Sequence, residues 1–241
     1  MPPDSRSFPR VSGQALNFDP RQGSSVVDFL LKEPQGVFKI RGVTRNPETP
    51  AACALAARGV DIVRADLSSL DETVQAFSGA WGIYGITSFY EHGYDVEQLH
   101  GKHIVEAAKV VGAKHLVWST VEGREGECRA ISWTSKALIE DRIAKSGIPY
   151  TFVHIPMYYE NFWTSFFAPK YHEEKGFSWS VGFLPDVPIF AYSVADHGAW
   201  VVPAFREPEK YNGQSSLFCR FGDPTGEHAC RKAYQNCGRL C

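Results

Sequence analysis

The polar and charged side chains of this chain recur at one kind of place, the point where an apolar run stops. Thr44-Arg45 follows FKIRGV, Asp66-Leu67 follows VDIVRA, Thr87 ends AWGIYGIT and Ser119-Thr120 ends HLVWST. A guanidinium, a carboxylate and hydroxyls gathered at the carboxyl ends of parallel strands are the groups that hold phosphates and sugar hydroxyls in half of a dinucleotide-binding sheet. The glycine-rich turn that belongs before such a stretch is altered here. Two other sets of chemically capable residues carry less. His100 and His103 are three apart on a helix, but no third metal ligand is placed by the sequence, so the pair reads as a solvated helix face. Cys53 and Cys128 stand alone, while Cys219, Cys230, Cys237 and Cys241 crowd the last stretch without a C-x-x-C pair. They read as reduced thiols rather than a zinc site.

The elements that must position the strand-end groups follow from apolar periodicity. Gly23-Ser24-Ser25 leads into VVDFLLKE, whose Val26, Val27, Leu30 and Leu31 form a helical stripe. Residues 38–43 read as a strand. Pro47 suits the first turn of the next helix, Ala51, Ala52, Leu55 and Ala56 give that helix its apolar face, and Gly59 ends it. Residues 60–63 are the next strand. Ser69-x-x-Glu72 is a capping box that opens a helix with Val74 and Phe77 toward the sheet and Gly79 at its end. Residues 80–87 are a strand, and Asp95 opens a helix with Val96, Leu99, Ile104, Ala107 and Val111 inward, closed by Gly112. Residues 115–120 are a strand, residues near 132–146 a helix capped by Gly147, and residues 150–155 one more strand.

Such alternation with short connections predicts an α/β fold, a Rossmann-type doubly wound parallel sheet of order 3-2-1-4-5-6 with a small, truncated C-terminal lobe. Two regions break the rhythm. VSGQAL at 11–16 is a poor first strand, with a glycine and few β-branched residues. Beyond Gly213 the chain loses its periodicity. The expected division is a divergent segment 1–22, a nucleotide-binding domain 23–156, a partial lid lobe 157–213 and an irregular tail 214–241. Within the lobe, residues 176–183 read as a hairpin, and Phe162, Trp163, Phe166 and Phe167 as an apolar wall. Ser193-x-x-Asp196 reads as a structural cap, and Pro203 should stop or kink the helix that follows, at about 3 kcal/mol if interior.

Composition removes several function classes. The formal net charge is −2 and no polybasic block stands out, so direct nucleic-acid binding is not expected. No apolar run reaches the roughly 18 residues of a membrane span, and MPPDSRSFPR has no apolar core of a secretory signal. The expected location is cytoplasmic, or nuclear.

The long block ITSFYEHGYDVEQLHGKHIVEAAKVVGAKHLVWST, followed by SKALIEDRIAKSGIPYTFVHIPMYYENF, resembles the NmrA-like family, an atypical branch of the short-chain dehydrogenase/reductase superfamily. The resemblance covers about residues 22–213. It implies a Rossmann domain that binds NADP or NAD, in proteins that act as redox sensors, as negative regulators of transcription through protein partners, or as isoflavone-reductase-like enzymes. In such proteins the first turn reads roughly G-x-x-G-x-x-G. Aligned on Gln22-Gly23, this chain has Asn17, Pro20 and Gly23 at the three glycine positions. Pro20 lacks an N–H and Asp19 adds a negative charge where backbone N–H groups should face pyrophosphate. Losing two such donors, at about 1.5–3 kcal/mol each, weakens binding by roughly 10² to 10⁴.

The resemblance assigns the remaining positions as follows. Arg45 holds a 2′-phosphate and so favours NADP over NAD, or is an ordinary solvated arginine. Asp66 and Leu67 match the pair lining the adenine pocket, and Thr87 and Ser119 open toward the nicotinamide side. Where the superfamily has Tyr-x-x-x-Lys, this chain has Ser132-x-x-x-Lys136. Serine is too weak an acid for the tyrosine's role, which leaves Lys136 to bind ribose or to serve alone as acid or base. Asn161 orients the nicotinamide end or caps a helix. Three readings stay open: an NADP(H)-responsive sensor working through a protein partner such as a transcription factor, an NADPH-dependent oxidoreductase of the isoflavone- or quinone-reductase type using Lys136, and a truncated copy that binds nothing.

Overall fold

The computed structural model describes residues 11–13, 20–121, 130–164, 168–174, 176–178 and 191–217. The chain begins with β1 (Val11–Gly13) and α1 (Pro20–Leu30), then alternates through β2 (Ile40–Thr44), α2 (Pro50–Ala56), β3 (Asp61–Arg64), α3 (Leu70–Phe77), β4 (Gly82–Gly85), α4 (Phe89–Val110), β5 (His115–Thr120), α5 (Ile131–Ala144) and β6 (Tyr150–His154). Smaller elements follow: β7 (Met157–Tyr158), a 3₁₀ turn Tyr159–Trp163, β8 (Lys170–His172), β9 (Gly176–Ser178), β10 (Ala191–Tyr192), α6 (His197–Arg206), α7 (Pro208–Tyr211) and β11 (Gln214–Leu217).

Among the described residues the main sheet has seven strands in the order β11-β6-β5-β4-β1-β2-β3. All its pairings are parallel. Reversal of the order at β1 is the switch point at which a doubly wound sheet opens its crevice. Two expectations are corrected at the sheet. Val11–Gly13, read as a poor strand, occupies its centre, with Val11 opposite both Ile40 and Gly82. Gln214–Leu217, read as the start of an irregular tail, extends the edge beside β6. Pairing on both flanks (β1) or against an already formed edge (β11) supplies the backbone hydrogen bonds that weak local propensity does not.

Side chains alternate across the strands into two cores. On one face Ile83, Leu116, Trp118 and Phe152 meet Phe77 of α3, Ile104 of α4 and Ile139 and Ile143 of α5. On the other, Tyr84, Val117 and Val153 meet Val26, Val27 and Leu30 of α1 and Val201, Val202 and Phe205 of α6. Helix ends follow local chemistry. Thr49 caps α2 by accepting from the Ala52 N–H, with Pro50 rather than Pro47 in the first turn. Ser69 caps α3 by accepting from the Glu72 N–H, while the Glu72 carboxylate reaches past the cap to the Asp66 N–H. Helix α6 runs three residues beyond Pro203 before ending.

The inward face of α4 is also corrected. Leu99 is 37% exposed, whereas Glu97, His100, Gly101, Ile104, Val105, Ala107 and Ala108 are buried. Ile104 and Ala107 face inward as expected, but a glutamate and a histidine share the inner stripe with them in place of Leu99. Likewise Leu31, Ala51 and Ala56 face outward while Val26, Val27, Leu30, Ala52 and Leu55 are covered. Segment β9 pairs with β8 upstream as an antiparallel ribbon. The rest of the predicted hairpin, with Phe166, Phe167, Asn17, Cys128 and the four C-terminal cysteines, lies outside the described residues.

Candidate functional site

The carboxyl ends of β2 and β3 and the start of α4 enclose a small cleft lined by Arg45, Asp66, Leu67, Ser88, Glu91, His92 and His100. Arg45 projects from the end of β2, and its Nη2 lies 2.5 Å from Glu91 Oε1. His92 Nε2 approaches the same oxygen at 3.5 Å. Across the cleft, Asp66 Oδ1 accepts the Ser68 N–H at 2.8 Å. That backbone bond, opposed by burial and aided by the Ser68 hydroxyl, keeps the Asp66 carboxyl below its usual range. His100 Nε2 is 3.0 Å from Ser68 Oγ, and burial, with His92 nearby, pushes its pKa down to about 4. His103 Nδ1–H donates to the Leu67 carbonyl at 2.7 Å. The two histidines, expected on a wet helix face, instead hold the β3–α3 connection in place. Ser88 Oγ is buried in the cleft wall and has no hydrogen-bond partner among the described residues.

At the end of β4 a second group forms around Lys136 of α5. Its Nζ donates to the Thr87 carbonyl at 2.7 Å, to Thr87 Oγ1 at 3.1 Å and to Glu97 Oε1 at 2.8 Å. Thr87 Oγ1 donates to the same glutamate oxygen at 2.9 Å. Glu97 is fully buried, and its second oxygen has no partner among the described residues. Burial lowers the Lys136 pKa, and Glu97 beside it offsets only part of that loss. Ser132, one turn before Lys136, is itself buried.

A third group lies on the α1 and α6 side of the sheet, around the core residue Tyr84, and joins residues far apart in sequence. Gln22, in the first turn of α1 next to Gly23, accepts at Oε1 from the Tyr84 and Ser119 hydroxyls, both at 2.7 Å. Its Nε2 donates to the Tyr158 hydroxyl. Tyr84 meets His197 Nε2 at 2.7 Å, and Tyr192 meets His197 Nδ1 at 3.1 Å. Since the Tyr84 proton goes to Gln22, the imidazole must carry its own proton on Nε2 and accept from Tyr192 at Nδ1. Burial pushes the His197 pKa down to about 3, in accord with a neutral ring. This network ties α1, β4, β5, β7, β10 and α6 together under the crevice.

Of the sequence-derived candidates, the structure brings Arg45, Asp66 and Leu67 into one cleft, Thr87 and Lys136 into direct contact, and Gln22 and Ser119 into another direct contact. Gly23 lies inside α1. Asn161 sits in the 3₁₀ turn, where its carbonyl accepts from the N–H and hydroxyl of Thr164. Its neighbour Glu160 accepts from the Ser193 hydroxyl at 2.6 Å and from the Val194 N–H at 3.1 Å. Sequence reasoning missed Glu91, Glu97, Tyr84 and His197. The one available signal was an acidic residue in phase with Gly101, Ile104 and Ala108 on α4.

Comparisons with known proteins agree with this architecture. The sequence profile of the NmrA-like family matches residues 20–230. An NmrA-like family domain-containing oxidoreductase of Aspergillus flavus is 34% identical over 214 residues, covering 80% of this chain and 63% of that protein. A similarly described oxidoreductase of Cladobotryum is 32% identical over 216 residues, covering 80% of this chain and 64% of that one. The chain thus spans a little under two thirds of these relatives. In fold it is similar to NmrA, a negative transcriptional regulator crystallised with NADP, at a TM-score of 0.76 and 20% identity over 97% of this chain and 82% of that one. It is similar also to an NADPH-dependent quinone oxidoreductase of Escherichia coli crystallised with NADPH, at a TM-score of 0.67 and 21% identity, covering 86% of this chain and 68% of that one.

Proposed function

Because the chain belongs to the NmrA-like family, we propose that it binds a nicotinamide dinucleotide, with NADP(H) preferred, across the carboxyl ends of its central strands and responds to that ligand rather than turning it over. The residues present fit such a group. A cation (Arg45) and an unpartnered buried hydroxyl (Ser88) line the cleft at the ends of β2 and β3, suited to the adenosine phosphate end. Thr87 and Lys136 stand at the end of β4, on the side where the far ribose would lie. When bound, the nicotinamide supplies hydride chemistry. The chain's own part is to bind and orient: Arg45 neutralises phosphate, the Gln22 network fixes the first turn of α1, and Thr87 and Lys136, whose donors are engaged with Glu97 and the Thr87 carbonyl, hold the end of β4 in place.

The observation that carries the reading against turnover is the state of Lys136. Its ammonium is committed to a fully buried carboxylate and a carbonyl, and Ser132 rather than a phenol precedes it by one turn. A proton donor so engaged must break a buried ion pair before it can act, and serine is too weak an acid to substitute. Nucleotide occupancy would then be read by a protein partner such as a transcription factor, a role supported by the regulator that shares the fold. No described helix is long and apolar enough to cross a membrane, and the cytoplasm or nucleus is the proposed location.

A second reading, an NADPH-dependent reductase, is favoured by the relatives named as oxidoreductases. Steady-state NADPH consumption with quinone and carbonyl acceptors separates the two. The sensor reading predicts no consumption above the acceptor-free blank. Sustained turnover abolished by Lys136→Ala in a variant shown to be folded would replace it with the reductase.

A further inference from the structure

The contact that closes the first cleft is made by the protein's own carboxylate. Glu91 Oε1 receives Arg45 Nη2 at 2.5 Å and stands 3.5 Å from His92 Nε2, so two potential cations converge on one oxygen. Ser88, whose buried hydroxyl has no partner among the described residues, lines the same cleft. A guanidinium and a histidine nitrogen converging beside a spare hydroxyl make a cradle for a tetrahedral oxyanion, and here a carboxylate occupies it. The segment carrying Glu91 is also set apart. Gly93 interrupts α4 with φ 77° and ψ −179°, so the turn Phe89–His92 is separated from the long helix that follows. A residue with positive φ at this break is an articulation that the packed body of α4 lacks.

We infer that Glu91 is a specificity-determining residue, an internal competitor that occupies Arg45 until a 2′-phosphate displaces it. The inference rests on the proposed dinucleotide reading and deepens it. NADP(H) must displace Glu91 and then gains Arg45 and Ser88, whereas NAD(H), having no group for the cradle, leaves the contact in place. Glu91 therefore narrows the margin between the two nucleotides. The pair is partly exposed, with side-chain accessibilities of 35% and 25%, so its effect is screened and modest.

Titration of wild type and Glu91→Gln with NADPH, NADH and adenosine 2′,5′-bisphosphate tests this. The variant keeps the side-chain size and removes the competing charge. NADPH and the bisphosphate should bind about 3- to 5-fold more tightly to it, NADH within about 1.5-fold of wild type, and Arg45→Gln should cancel the gain in the double variant. Equal shifts for NADPH and NADH, or no shift while NADH still binds, overturn the inference alone. A gain for the bisphosphate with neither dinucleotide bound keeps Glu91 as the competitor and removes the dinucleotide reading. Absence of binding by all three ligands removes both.

Discussion

Replacing Lys136 by methionine should destabilise the protein before it does anything to chemistry. Glu97 is fully buried and Lys136 Nζ, 2.8 Å away, is its cationic partner. Among the described residues the remaining bond to that carboxylate comes from Thr87 Oγ1, and Glu97 Oε2 already has no partner there. Removing one member of a buried pair leaves an uncompensated charge and costs about 3–5 kcal/mol. The Thr87 carbonyl loses its Nζ–H donor as well, which pushes the cost toward the upper end. Against a typical net stability of about 5–15 kcal/mol this is a large fraction. Urea denaturation followed by circular dichroism at pH 7.5 measures it. The double variant Lys136→Met, Glu97→Leu, which replaces both charges by apolar groups, should recover most of the loss and fall within about 1.5 kcal/mol of wild type. A Lys136→Met cost below about 1 kcal/mol, or additive losses in the double variant, would refute a buried, mutually dependent pair. A stability loss of this size also means that inactivity of a Lys136 variant is no evidence of catalysis until its folding is measured.

Other outcomes follow from particular contacts. A Cβ at Gly198 would stand 2.4 Å from the Ser25 carbonyl oxygen and 2.7 Å from Phe29 Cδ2, so Gly198→Ala should overpack the α1–α6 crossing and cost at least about 1–3 kcal/mol. The exposed neighbour Ala199→Ser, measured in the same thermal melts, should be nearly neutral. His197 has a folded pKa of about 3 against roughly 6.5 unfolded, so below pH 6.5 the unfolded chain takes a proton that the folded one refuses. Stability should therefore fall as pH drops through that window, by about 1.4 kcal/mol per pH unit from this group. His100 and His115, both pushed down to about 4, add to the slope in the same direction. His197→Gln should flatten the urea-midpoint profile between pH 7 and 5, and an unchanged slope would contradict the assignment.

The middle of the fold was legible because local and global preferences agree there. HLVWST forms β5 over the predicted residues, and Gly59, Gly79, Gly112 and Gly147, expected to end helices, all have positive φ. Ser69 caps α3 as its spacing requires. What failed was short or polar. Three residues containing a glycine become the central strand because flanking strands pair with them on both sides, and that force has no local trace. The site divided in the same way. Strand-end position put Arg45 and Asp66 beside the small cleft and left Thr87 and Ser119 buried at the ends of β4 and β5, but their partners come from elsewhere in the chain. Glu91 is 46 residues from Arg45, Lys136 is 39 from Glu97, and His197 is 113 from Tyr84. Periodicity cannot report such pairs. It also misassigned part of the face of α4, since a buried carboxylate and a buried histidine count as polar in any apolar pattern although each meets a tertiary partner, Lys136 for Glu97 and Ser68 for His100.

The central claim is that the crevice holds a nicotinamide dinucleotide despite the substitutions in the first turn. Calorimetric titration of the purified chain with NADPH, and with NADH in parallel, tests it most directly. Saturable one-to-one binding near micromolar, tighter for NADPH, is the predicted result. No heat and no thermal stabilisation up to millimolar nucleotide, from protein that melts cooperatively, would contradict it.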